Sequence, residues 1–269
     1  ALRQTYDAVV GGTGANEPAT LGIPGEELEG VWTAKEFLMR VQASQMADRL
    51  ADCLPAEEMS PPRVGRRVAV VGAGNTAMDA ARTARRLGAD EVTVVYRRDE
   101  AQSPSRPVEI DHAKTEGVRF QYLVNPVRFL GDEAGRLRAM ELIRMELGPP
   151  DGSGRPRPVP VQGSEFQMPV DTVIVAVGYA PERELAARGG LATTSWGGLV
   201  VDEATGATSR SGVFAAGDCV TGAKTVIHAI AGARRAAEAM ERYLEARGAG
   251  HAVWPPAPQT RDPQALLRR

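Results

Sequence analysis

The chain has 269 residues, of which 43% are hydrophobic and 25% charged, and carries a net charge of −2. That is ordinary for a soluble globular protein of two modest domains, and the near-neutral balance points away from nucleic acid and anionic membranes. No apolar run approaches a bilayer span and no secretory signal is read, so the cytoplasm is the expected compartment, with no membrane association.

Residues 6–15 read as a strand running into a glycine turn, but Glu17 and Pro18 stand where a helix would open, so this is no dinucleotide fingerprint. Residues 22–25 continue as loop. Residues 33–50 have helical spacing of Ala34, Phe37, Leu38, Val41 and Met46. Pro55, Pro61 and Pro62 then mark a linker.

The next segment carries chemistry. An apolar strand, Arg67-Val68-Ala69-Val70-Val71, runs into Gly72-Ala73-Gly74-Asn75-Thr76-Ala77, which opens a helix that Gly88 ends. Gly72 allows the tight turn, Gly74 lets the backbone approach a pyrophosphate, and the small Ala77 lets helix and strand pack closely. The helix start then offers N–H groups and a positive dipole end to phosphates, with Asn75 and Thr76 at its head. The following strand, residues 91–96, ends in Arg97-Arg98 where an NAD site carries an acid. Two guanidiniums suit a 2′-phosphate and favour NADP(H), against a plain reading as solvated arginines balanced by Asp99 and Glu100.

A polar loop of Ser103-Pro104-Ser105-Arg106-Pro107 leads to a short helix ending near Glu116, and residues 118–123 form a strand. Residues 127–130 and 137–145 are expected as a β-meander, and the Gly- and Pro-rich residues 148–158 as a flexible hairpin tip. Residues 171–178 form a continuous apolar run, as in a buried parallel strand, ending with Val177 and Gly178 at the carboxyl edge where ligands sit. Residues 198–202 and 212–218 are two further strands, the second feeding a helix over about 225–246. Residues 249–269 hold four prolines and read as a flexible tail. Cys53 and Cys219 lie outside any CxxC, and His112, His228 and His251 form no cluster. A disulfide framework, a dithiol or iron–sulfur centre and a metal site are unsupported. Cys53 is expected as an inert, partly buried thiol and His228 as a packed helix histidine.

Several blocks together resemble the two-dinucleotide-domain flavoproteins. They are Val70-Val71-Gly72-Ala73-Gly74-Asn75-Thr76-Ala77-Met78-Asp79, Val95-Tyr96-Arg97-Arg98 and Phe214-Ala215-Ala216-Gly217-Asp218. With Gly22-Ile23-Pro24-Gly25-Glu26, His112-Ala113-Lys114-Thr115-Glu116-Gly117-Val118 and Thr225-Val226-Ile227-His228-Ala229-Ile230, the chain is most similar to the small (β) subunit of NADPH-dependent glutamate synthase and its relatives. The resemblance covers nearly everything but the tail.

It implies an α/β fold of two Rossmann-like dinucleotide-binding domains, with an NADPH domain inserted in an incomplete FAD domain. The expected division is an FAD-domain segment at 1–35, a helical linker at 36–62 and the NADPH domain at 63–185, followed by the carboxyl-terminal FAD segment at 186–248. NADPH is expected at Gly72, Gly74, Asn75, Thr76, Arg97, Arg98, Val177 and Gly178. FAD is expected at Thr13, Gly14, Gly217, Asp218, Thr225 and Val226, with Asp218 accepting from ribityl or ribose hydroxyls and the helix start facing the flavin's pyrimidine edge. The chain departs from the family where Gly12-Thr13-Gly14 replaces Ala-Thr-Gly. It also shows no amino-terminal GxGxxG unit and no cysteine-bearing iron–sulfur domain. Because a half sheet would leave edges exposed, a piece of a longer flavoprotein is preferred over a short protein that lost FAD or borrows the missing half.

The function implied is an oxidoreductase subunit passing hydride from NADPH to FAD and electrons to a larger synthase or other acceptor subunit. No catalytic side chain is assigned, since hydride transfer asks the protein for positioning and water exclusion. The alternative is an NADPH-binding module without turnover, acting as sensor or assembly subunit; self-association into a homo-oligomer is compatible with either. A disulfide reductase is disfavoured by the absence of CxxC.

Overall fold

The computed structural model of the chain describes residues 2–50, 52–150, 152 and 154–248. They fall into two compact units: one is the continuous stretch Pro18–Gly178, and the other combines the residues up to Glu17 with those from Tyr179 onward. The first unit is thus an insertion in the second.

In chain order the elements begin with α1 (Leu2–Thr5), β1 (Val9–Gly11), β2 (Glu17–Pro18), β3 (Val31–Thr33), α2 (Ala34–Gln45), α3 (Ala47–Leu50), β4 (Arg67–Val71) and α4 (Asn75–Arg86). They continue with β5 (Glu91–Tyr96), a 3-10 turn (Glu100–Gln102), α5 (Pro107–Thr115), β6 (Arg119–Tyr122), β7 (Val124–Gly131) and β8 (Leu137–Pro150). After these come β9 (Pro156–Pro160), β10 (Phe166–Pro169), β11 (Thr172–Val175), β12 (Tyr179–Ala180), α6 (Arg183–Gly189), β13 (Val213–Ala215), α7 (Asp218–Thr221) and α8 (Val226–Ala246).

The inserted unit is built on a five-stranded parallel sheet of order β3-β11-β4-β5-β6. Its central strands are runs of β-branched residues buried on both faces, the pattern a doubly covered parallel strand requires. Alternation sorts the two sides. Val68, Val70, Val94 and Ile174 pack beneath α2, α4 and α5, where Phe37, Met78 and Ile110 complete the core. Ala77, Ala80, Ala81 and Ala84 are fully buried, and their small size brings α4 close to the sheet.

Ala69, Val71, Val95 and Val173 turn the opposite way, onto Val124, Phe129, Met140 and Leu142. Those belong to an antiparallel layer in which β8 pairs with β7, β9 and β10. The chain crosses from one layer to the other at Leu123, held at φ 56°. Its N–H donates to the Arg98 carbonyl, and its own carbonyl accepts from Met145 N–H. At the amino edge of the sheet, Arg67 donates from Nη2 to Asp171 Oδ1 at 2.7 Å and from its backbone N–H to Oδ2 at 3.0 Å, tying β4 to β11.

The other unit pairs β1 with β13 in parallel. Phe214 faces a cluster with Ala216, Ala236 and Ala239 of α8, while Ala215 faces Ala186, Leu199 and Cys219 on the opposite side. No helix among the described residues is long and apolar enough to cross a membrane.

Most expected elements form where the sequence places them, including the meander and the long carboxyl-terminal helix. Several details differ. The expected segment 1–35 is split, because Val31–Thr33 joins the large sheet as an edge strand beside β11 and residues 18–35 therefore belong to the inserted unit. Nor do residues 36–62 act only as a linker, since α2 buries Phe37 and Val41 in the same core as α4. The boundary expected at 185 falls at Gly178.

The helix expected over 33–50 is capped by Thr33, whose Oγ1 accepts from Glu36 N–H, and ends at Gln45 before the short α3. Residues 198–202 form only isolated bridges, Thr193 with Leu199 and Val201 with Thr208, because Asp202 turns the chain by accepting from Thr205. Within the expected hairpin tip, residues 148–150 continue β8 and 156–158 begin β9. Cys53 is exposed rather than partly buried, whereas Cys219 is buried, and both are free thiols. His228 is exposed rather than packed; its Nδ1 meets Thr225 Oγ1 at 2.7 Å. The tail expected at 249–269 lies outside the described residues.

Candidate functional site

The carboxyl edge of the parallel sheet is shaped by the turn between β4 and α4. Gly72 N–H donates to the Val95 carbonyl at 2.9 Å, and φ is 121°. A Cβ at Gly72 would lie 2.3 Å from the carbonyl oxygen of Ala176, so only glycine lets β4 and the chain after β11 approach this closely. Gly74 is different. It is extended (φ −83°), caps α4 without a side chain, and a Cβ added there would meet nothing closer than Pro104 Cγ at 3.9 Å. The space in front of Gly74 is therefore open.

Helix α4 starts behind that space with Ala77 N–H and Met78 N–H already bonded to the Gly74 carbonyl. The N–H groups of Asn75 and Thr76 find no acceptor among the described residues, as expected of a first helical turn awaiting one. A backbone turn without side-chain bulk, in front of free N–H groups at a helix start, can hold the oxygens of a pyrophosphate. The residues present fit a dinucleotide.

Flanking loops fix this turn. Ser103 Oγ donates to the Ala73 carbonyl at 2.7 Å. The Asn75 side-chain oxygen accepts from Ser105 Oγ at 2.9 Å and from Arg106 N–H at 3.1 Å, which orients the amide at the head of α4. These serines carry no periodic signal, and the sequence there reads only as a polar loop.

The expected arginine pair separates. Arg97 is exposed, with no hydrogen-bond or ion-pair partner for its guanidinium among the described residues. Arg98 is buried, and its Nε donates to the Pro156 carbonyl at 2.9 Å. Alternation along an extended chain, applied to the pair, is the signal that could have separated them. Val177 is exposed on the far side of the turn, followed by Gly178 with φ 118°. Gly72, Gly74, Asn75, Thr76, Arg97, Val177 and Gly178 thus sit along one edge of one sheet. Near its far end, burial pushes the Tyr122 phenol up, keeping it neutral.

The remaining expected residues lie in the other unit. Gly217 follows β13 with φ 81°, and Asp218 opens α7, its Oδ1 accepting from Lys224 N–H at 3.3 Å. Thr225 precedes α8 without a side-chain bond to the helix backbone, and Val226 is 74% exposed. Thr13 is exposed and accepts at its carbonyl from the Asn16 amide, beside Gly14 with φ 72°.

A model of the pyridine nucleotide-disulphide oxidoreductase family matches residues 2–235. The chain belongs to that family. Among curated members, the NADP(+)-dependent formate dehydrogenase subunit beta of Moorella thermoacetica is 42% identical over 90% of this chain and 32% of its own length. The glutamate synthase [NADPH] small chain of Azospirillum brasilense is 38% identical over 91% of this chain and 50% of its own length, which bears out the resemblance read from the motifs. The chain thus spans between about a third and a half of these relatives. Among solved structures, Mycobacterium tuberculosis FprA in complex with NADPH shares the fold, with a TM-score of 0.74 at 23% identity, over 94% of this chain and 68% of that one.

Proposed function

We propose that the inserted unit binds NADP(H), with the pyrophosphate on Gly72, Gly74, Asn75 and Thr76 and the nicotinamide beside Val177 and Gly178. The observation that carries this reading is the open face of Gly74 before the unbonded N–H groups of α4. Arg97 takes the 2′-phosphate, where a free and always-charged guanidinium gives bidentate bonds that an acid would forbid. Arg98 supports that position from behind rather than touching the nucleotide. The names of relatives at 42% and 38% identity, which carry NADP(+) and NADPH, support the choice of cofactor.

The second unit is assigned to FAD through Thr13, Gly14, Gly217, Asp218, Thr225 and Val226. Asp218 offers a carboxylate to hydroxyls, and the start of α8 aims N–H groups and a positive dipole end at a group that gains negative charge on reduction. Bound together, the two groups would supply hydride transfer from nicotinamide to flavin and onward electron transfer to an acceptor. The chain's residues contribute binding, alignment and exclusion of water, and none is asked to act as acid or base. The acceptor is a further subunit, in keeping with the subunit names of the relatives.

The alternative of a binding module without turnover draws on the β1–β13 pairing, a sheet of two strands among the described residues. Titration with NADPH and NADH, followed by nicotinamide fluorescence, tests the first assignment. Tighter binding of NADPH is expected, and equal binding or none would remove it.

A further inference from the structure

The hairpin formed by β8 and β9 reaches back to the carboxyl edge of the parallel sheet. Arg155, just before β9, donates from Nη2 to Tyr96 Oη at 3.1 Å and to the carbonyl of Gln102. Tyr96 Oη donates to the same carbonyl at 3.0 Å, so phenol, guanidinium and carbonyl form a closed triangle. One residue further along the hairpin, the Pro156 carbonyl accepts from Arg98. The hairpin therefore grips residues 96–102 at two places. Arg97 lies between the two gripped side chains, with its own guanidinium free among the described residues.

The grip extends to the phosphate turn. The 3-10 turn that ends at Gln102 is capped by Asp99, whose Oδ1 accepts from Gln102 N–H at 3.0 Å. Ser103 follows directly and bonds to Ala73. A displacement at Gln102 is thus passed to the loop that holds the glycine turn and to the backbone that carries Arg97. Tyr96 and Arg98 are both buried.

We propose that Arg155 is a specificity-determining positioning residue: through Tyr96 and Gln102 it holds Arg97 where the 2′-phosphate of NADP(H) will lie. This rests on the nucleotide assignment above. A guanidinium on a fixed backbone loses less freedom on binding, so anchoring sharpens recognition of the group that Arg97 touches and leaves the shared part of the two nucleotides alone. The Arg155 side chain is committed to Tyr96 and Gln102 and acts at one remove.

The test is titration of the whole chain with NADPH, NADH and adenosine 2′,5′-bisphosphate, for wild type, R155A, Y96F, R97A and R97A/R155A. R155A is expected to weaken NADPH and the bisphosphate about tenfold and to leave NADH nearly unchanged, the size of coupling usual between neighbouring residues. Y96F, which leaves the guanidinium one acceptor, is expected to shift the same ratio less. Once Arg97 is absent, loss of Arg155 should have no further effect on the NADPH-to-NADH ratio. Equal weakening of both dinucleotides by R155A would reduce Arg155 to a structural role and overturn the proposal. So would an unchanged ratio, or a ratio that still falls in the R97A background. A wild-type chain that prefers neither dinucleotide would instead remove the nucleotide assignment, and this inference with it.

Discussion

Gly72→Ala and Gly74→Ala are the same chemical change two residues apart, and the structure separates their consequences. At Gly72 the new Cβ would stand 2.3 Å from the Ala176 carbonyl oxygen, a backbone atom that no rotamer change can move, at a φ of 121°. Holding a non-glycine residue in such a region costs about 1–3 kcal/mol. Forcing the two backbones apart adds roughly 1–3 kcal/mol more. Stiffening of the unfolded chain returns about 0.4–1 kcal/mol. The net loss of about 1–5 kcal/mol corresponds to a fall in Tm of roughly 2–20 °C.

At Gly74 φ is −83° and the nearest atom to the new Cβ is 3.9 Å away. Alanine is a poorer helix cap than glycine by about half a kcal/mol, and the unfolded-chain effect offsets this, so stability stays within about 0.5 kcal/mol. Binding behaves the opposite way. The methyl group occupies the space assigned to the pyrophosphate, and losing one charge-assisted hydrogen bond costs about 1.5–3 kcal/mol, or roughly 10- to 100-fold in NADPH affinity. Thermal melts and fluorescence titrations on both variants measure the two effects. If G74A binds NADPH as wild type does, or melts as early as G72A, the assignment of this turn to phosphate is wrong.

Arg97→Ala should weaken NADPH roughly 10- to 100-fold and leave NADH unchanged, since the lost bonds go to the 2′-phosphate alone; equal loss with NADH would contradict that role. Phe37→Ala empties a fully buried position shared by α2, α4 and the sheet. It should cost about 3–5 kcal/mol in denaturant unfolding, whereas a helix that only links domains would tolerate it. Asp171, hydrogen-bonded by Arg67, is held below the usual carboxylate range. Because the folded-state value is depressed, its contribution is whole above about pH 4 and is lost as pH falls through the lowered value. Asp171→Asn should therefore destabilise the chain by about 1–2 kcal/mol at neutral pH. That gap should narrow on acidification, and urea midpoints that differ equally at pH 7 and pH 3 would count against the bridge.

The glycine turn was legible because the local pattern changes abruptly. A run of β-branched residues becomes a helical run of alanines across Gly72 and Gly74, and each part suffices to name its element. Edge strand β3 was not, since three residues are too few to show alternation and their partner, β11, lies some 140 positions away in sequence. With β3 unseen, the helix after it read as a linker. Residues 198–202 failed the other way, having the composition of a strand but only isolated bridges to stabilise one. The hydrogen bonds of Ser103, Ser105 and Arg155 are set by tertiary approach of loops, and neither periodicity nor composition records them. His228 and Cys53 went wrong because neighbouring apolar residues in a sequence do not say which face of an element is covered. Val226 and Ile227, beside His228, are exposed as well.

The proposed role is to carry hydride from NADPH to a flavin. Its most direct test is the visible absorption spectrum of the purified chain after incubation with FAD and removal of the excess, followed by anaerobic NADPH. A retained flavin band that bleaches with NADPH, and far more slowly with NADH, is expected. A chain that binds NADPH yet retains no flavin, or holds a flavin that NADPH leaves oxidised, would contradict it and leave a nucleotide-binding module.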